Sequence, residues 1–182
     1  MNNNEFPKRK TTRIKNYDYR TEGVYFVTIC IRDRMQILSE VVKIDFDTLD
    51  DTRDILVGEG LAPPEYQTIL KPSGMIVKEQ LLLLESRYDN VTIEGYVIMP
   101  DHIHVLIYLH KKTGGASPSP TLDDVICAFK SLSSRACKKQ LGIEKMFQRS
   151  SAEHIVRDIF DYETRKKYIY ENPMRWYYKN KE

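Results

Sequence analysis

Residues 24–31, Val-Tyr-Phe-Val-Thr-Ile-Cys-Ile, are a near-continuous apolar and β-branched run. A segment with so little polar surface to turn towards water reads as a buried central strand. Everything else in the chain has to be arranged around it. Residues 36–46 look like a strand or hairpin arm that leads into an acidic stretch. Residues 45–70, with Gly58, Gly60, Pro63 and Pro64, read as a loop. Apolar positions at helical spacing predict a helix from Ser73 to about Tyr88, with Ser73 as its cap. Residues 91–99 and 103–109 read as strands, and the turn signal Pro100-Asp101 between them makes a hairpin.

Residues 110–120, rich in Gly, Ser and Pro, are a second loop. Thr121 and Asp124 form a variant of the capping box, with Asp in place of Glu or Gln, and open a helix that runs to about Gln140. Leu141-Gly142 ends it. A short strand is expected at 145–149 and a last helix over 160–172, stopped by Pro173. The order is β-α-β-β-α-β plus an additional C-terminal helix. That predicts an α+β chain with a ferredoxin-like antiparallel sheet and helices on one face. Such sheets are common platforms for RNA and DNA, which suggests a partner class and no reaction.

The 182 residues fit one domain, and 41% hydrophobic residues exclude wholesale disorder. The net charge of +2 hides a split. Residues 1–20, a basic N-terminal arm, carry six basic and two acidic side chains. Residues 40–101 carry five basic and thirteen acidic ones, and residues 130–182 thirteen basic and seven acidic. One face of such a chain can meet a polyanion, although ordinary solvated faces explain the asymmetry equally well. Cys30, Cys127 and Cys137, odd in number and widely spaced, fit reduced intracellular thiols better than a disulfide framework. No apolar run approaches the ~20 residues of a membrane span, and the polar start is no signal peptide, so a cytoplasmic location is expected.

Chemistry concentrates in two places. In Pro100-Asp101-His102-Ile103-His104, the two histidines lie at i and i+2 of a strand and project from one face. Two imidazoles held so are half of a metal site, although a bare His-x-His is more often a pair of partly exposed histidines. In Tyr168-Ile169-Tyr170-Glu171-Asn172-Pro173, Tyr168 and Asn172 stand at i and i+4 of a helix. A phenol and a carboxamide oxygen one turn apart suit a nucleophile and a further metal ligand. In isolation, amphipathic packing with Asn-Pro as a stop explains the same residues more often.

Taken together, Tyr96-Val-Ile-Met-Pro-Asp-His-Ile-His104, Phe129-Lys130-Ser131 and the segment from Gln148 to Trp176 resemble the single-tyrosine HUH transposases. Within them the resemblance is to the REP-associated tyrosine transposases of bacteria, over residues 13–38, roughly 70–109, and 122–176. It implies that His102 and His104 are metal ligands, Tyr168 is the nucleophile and Asn172 the third ligand. It also implies Mg²⁺ or Mn²⁺ as cofactor, single-stranded DNA with hairpin or palindromic elements as substrate, and a homodimer with its active site completed in cis or in trans. The implied reaction is cleavage of a phosphodiester through a 5′-phosphotyrosine. A free tyrosine titrates near pH ~10 and needs help to lose its proton.

Two departures from the family stand out. Ser150-Ser151-Ala152 replaces residues that are often aromatic in relatives, and the 45–70 region looks longer than the usual connection. Lys130, Arg135, Lys138, Lys139 and Arg149 are candidate DNA contacts, although a solvated face accounts for the helical ones equally. His154 and Arg157 position DNA or the tyrosine helix on one reading, and pack or cap the last strand on the other. A non-catalytic DNA- or RNA-binding regulator that keeps the fold is the alternative function.

Overall fold

A computed structural model describes residues 21–44, 65–111 and 120–181. The expected basic arm at 1–20 and most of the loops at 45–70 and 110–120 lie outside the described residues. The element order is β1 (Gly23–Cys30), a 3₁₀ turn (Arg32–Arg34), β2 (Ser39–Lys43), β3 (Tyr66–Leu70), α1 (Pro72–Arg87), β4 (Val91–Ile98), β5 (His102–Leu109), α2 (Leu122–Leu141), β6 (Ala152–Ile155) and α3 (Ile159–Lys179).

Four strands form one antiparallel sheet in the order β4-β5-β1-β6. With the β2–β3 hairpin set aside as an insertion, this is the ferredoxin-like order. β1 is central, as its composition requires. It pairs with β5 from Gly23 opposite Leu109 to Cys30 opposite His102, and with β6 from Tyr25 opposite Ile155 to Thr28 opposite Ala152.

Both faces of the sheet are covered, which is why the β1 run lacks clean alternation. Tyr25, Val27 and Ile29 of β1 and Ile103, Val105 and Ile107 of β5 pack against α1 and α2 through Ile76, Val77, Leu81, Leu84, Val125, Ile126 and Phe129. Phe26, Val97, Met99 and Leu106 face the other way, onto Ile169, Tyr162, Tyr168 and Trp176 of α3. Thus α1 and α2 share one face, and α3 has the other to itself.

Local signals explain several boundaries. Thr121 and Asp124 make the reciprocal capping box that opens α2, and Gly142, at φ 70°, closes it. Ser73 does not cap α1; Lys71 is the N-cap, Pro72 takes the first turn, and the Ser73 hydroxyl donates to the Ile37 carbonyl instead.

Three expectations need correction. Residues 66–70, read as loop, form β3, which among the described residues pairs with β2 alone, in a separate two-stranded sheet. The last strand lies at 152–155; within 145–149 only Phe147 makes a bridge, to Ile31. α3 does not stop at Pro173 but continues to Lys179. Proline removes the donor that would serve the Ile169 carbonyl, yet the turns beyond it are held by tertiary contacts. Tyr66 of β3 packs against Tyr177 with ring centres 4.7 Å apart, and its hydroxyl meets that of Tyr178 at 3.0 Å. Among the described residues no helix is long and apolar enough to cross a membrane.

Candidate active site

His102 and His104 open β5 and, two residues apart, point to the α3 face, where both are buried. Their Nε2 atoms converge to 3.0 Å. Each ring is held from behind by its other nitrogen. His102 Nδ1 lies 2.5 Å from Asp101 Oδ1, and a carboxylate can only accept, so Nδ1 carries the proton and Nε2 keeps a bare lone pair. His104 Nδ1 lies 2.9 Å from the Thr28 hydroxyl, which donates or accepts as the tautomer requires. Thr28 stands opposite His104 in the β1–β5 register.

Burial sets the charge state of the pair. It pulls the His102 pKa below its ordinary value, against the opposing effect of the hydrogen bond that the ring donates to Asp101. His104 goes down to about 3, through burial first and then the neighbouring His102 and the Arg34 guanidinium. Both rings are therefore neutral at neutral pH, the form in which imidazole binds a metal.

α3 crosses this pair with one stripe of side chains. Tyr168, Asn172 and Trp176 recur every four residues and so share a face. The Tyr168 ring centre is 5.1 Å from that of His104, nearly perpendicular to it, and that of Trp176 is 5.8 Å from His102. Asn172 stands between them on the stripe that meets the two imidazoles. It is only 5% exposed. Phe26 completes the seat, stacked on His104 at 5.2 Å and edge-on to Tyr168 at 5.9 Å.

The donor set fits a divalent cation. Two neutral imidazole nitrogens converge, their outer nitrogens are engaged as ligating histidines require, and the buried Asn172 carboxamide lies on the facing helix. Among the described residues no group of three or more His, Cys, Asp or Glu is placed to hold a metal ion.

The other candidate residues lie elsewhere. Lys130 donates to the carbonyls of Gln148 and Arg149 at 3.2 and 3.4 Å, which ties down the segment before β6. Arg135, Arg149 and Arg157 are exposed. His154 Nε2 meets Asp161 Oδ2 at 2.6 Å, and Asp161 also accepts from Arg165 at 3.1 Å, so β6 is joined to the first turn of α3. The Arg165 guanidinium lies 5.4 Å from the Phe26 ring centre.

Sequence reasoning missed Thr28, Phe26, Asp101, Arg34 and Trp176. Trp176 was open to discovery, four residues beyond Asn172. Thr28 and Phe26 carry no signal until the β1–β5 register is known.

No family model matches the chain. An uncharacterized protein of Haemophilus influenzae is 26% identical over 183 residues, which spans 92% of this chain and 89% of that one. Among solved structures, a REP-associated tyrosine transposase bound to a REP hairpin aligns with 90% of this chain and 74% of its own, at a TM-score of 0.57 and 18% identity. The chain has the fold of that transposase. Four of its residues, His102, His104, Tyr168 and Asn172, stand together on the α3 face of this transposase-like fold.

Proposed function

We propose that the protein is a metal-dependent, single-strand DNA endonuclease and strand transferase in which Tyr168 is the nucleophile. The observation that carries this reading is the stripe Tyr168-Asn172-Trp176 lying against two neutral imidazoles whose Nε2 atoms converge at 3.0 Å. His102, His104 and Asn172 would hold Mg²⁺ or Mn²⁺. Bound there, the cation supplies Lewis-acid polarisation of the scissile phosphate.

Tyr168 Oη forms a bond to phosphorus while the bond from phosphorus to the 3′-oxygen breaks. The phenolic proton is matched by the one gained on the departing 3′-hydroxyl, so no net proton is released. The product is a 5′-phosphotyrosine, from which a 3′-hydroxyl can displace the phenolate without ATP. Phe26 and His104 fix the Tyr168 ring from two sides, which limits the orientations it has to search. α3 packs on the sheet of its own chain, and on that arrangement this reading completes the site in cis. The hairpin DNA carried by the structural relative supports a hairpin-bearing single strand as the substrate class.

The test is incubation with labelled single-stranded hairpin DNA and Mn²⁺, followed by denaturing electrophoresis. A protein–DNA adduct that disappears in Tyr168→Phe is expected. Cleavage that survives Tyr168→Phe overturns the tyrosine mechanism, and binding without cleavage points to the non-catalytic regulator.

A further inference from the structure

The connection after β1 is built unusually. Asp33 and Arg34 both have φ of 54°, two consecutive non-glycine residues in the left-handed region. That conformation is disfavoured for any residue that carries a Cβ. Arg34 lacks the short polar side chain that eases it for aspartate. The turn is nevertheless pinned on all sides: Ile31 N donates to Asp101 O at 2.8 Å, Arg32 N to Met146 O at 2.8 Å, Arg34 N to Ile31 O at 3.2 Å and Leu38 N to Pro100 O at 3.0 Å.

The result is that Arg34 Nη1 lies 3.4 Å from Asp101 Oδ2, while Asp101 Oδ1 holds His102. Asp101 is only 7% exposed. The Arg34 side chain is 56% exposed, so the ion pair is solvent-screened and weak. The ion pair alone does not offset two left-handed residues; the four backbone hydrogen bonds hold the turn. Backbone strain held in this way collects where a side chain has to be aimed, and here the guanidinium is aimed at Asp101.

We propose that Arg34 is a positioning residue for the metal site: it holds Asp101 so that the carboxylate accepts from His102 Nδ1 and His102 presents a bare Nε2 to the cation. This rests on the metal reading above and adds a residue from a different element to it. The chain runs from strained turn to guanidinium, carboxylate and imidazole, each link a distance already given. Such outer partners commonly govern metal affinity by 10–100-fold.

The decisive variant is Arg34→Gly, because glycine accepts φ of 54° without strain and the turn loses only the guanidinium. In metal-free protein, ¹⁵N chemical shifts of the His102 ring report which nitrogen carries the proton. We expect the wild type to be Nδ1-protonated, and Arg34→Gly to show a mixture of tautomers at unchanged or higher Tm. Mn²⁺ titration followed by electron paramagnetic resonance should give a Kd raised about 10-fold. Arg34→Lys, which restores charge without the fork, should recover part of both signals. An unchanged tautomer in Arg34→Gly, or a Kd within twofold of wild type, overturns the proposal. If wild type binds no Mn²⁺, the metal reading fails on its own, and the tautomer measurement still decides whether Arg34 positions His102.

Discussion

Replacing Gly74 by alanine sets two effects against each other. On helix propensity alone the change should stabilise α1 by about 1 kcal/mol. The tertiary structure says otherwise. A Cβ at position 74 would stand 2.0 Å from the Leu38 carbonyl oxygen, 3.0 Å from its carbon and 3.3 Å from Leu70 Cδ2. A carbon–oxygen contact needs about 3.3 Å or more, so the helix and the strand connection would have to part by more than an ångström. Neither side yields easily. The Leu38 carbonyl accepts from Lys71 N at 2.9 Å, Leu38 N donates to Pro100 O at 3.0 Å, and the Leu38 side chain is fully buried. Overpacking against backbone costs about 3 kcal/mol, and a hydrogen bond lost in the displacement adds about 1 kcal/mol. Net of the propensity gain, Gly74→Ala should destabilise the protein by about 3 kcal/mol. Urea denaturation monitored by circular dichroism measures it, as a lower midpoint at unchanged slope. Gly95→Ala is the control: nothing lies within 4 Å of a Cβ there, and the cost should stay within about 1 kcal/mol. A neutral or stabilised Gly74→Ala variant refutes the close approach of α1 to the β1–β2 connection.

Tyr162 offers a second test, on the seat of α3. Its hydroxyl donates to Glu94 Oε2 at 3.0 Å, and burial together with that bond pushes its pKa up to about 12. A raised phenol pKa favours the folded state below pH ~10, and the benefit is lost as pH rises from 10 to about 12. Tyr162→Phe should therefore cost about 1–2 kcal/mol at neutral pH. It should also flatten the alkaline part of the stability profile relative to wild type, read by denaturation between pH 9 and about 12; identical slopes refute the assignment. Thr121→Ala removes half of the α2 capping box and should lower stability by about 1 kcal/mol in the same assay.

Much of the fold was readable because its signals are local. The apolar run at 24–31, the helical spacing in α1, the Thr121–Asp124 cap and the Pro100-Asp101 turn each act over a few residues. The errors share one cause, which is that distant contacts override local propensity. Pro173 reads as a stop, and the helix continues past it with Tyr177 and Tyr178 against Tyr66 and Trp176 against His102. β3 looks like loop from its neighbours' glycines and prolines, and exists because β2 pairs with it. Glu94 has its partner because the register slips between Ile93 and Gly95, a bulge that no residue pattern announced.

The sequence by itself determined which chemistry is present. Strand periodicity puts His102 and His104 on one face, and helical periodicity puts Tyr168 and Asn172 on another, because both periods are properties of the backbone. Whether those faces meet is not a local property. It was decided by α3 packing on the sheet face opposite α1 and α2, by the β1–β5 register that brings Thr28 to His104, and by a left-handed turn that brings Arg34 to Asp101. Each of these joins residues far apart in the chain, where only burial and pairing, and no sequence spacing, set the distance.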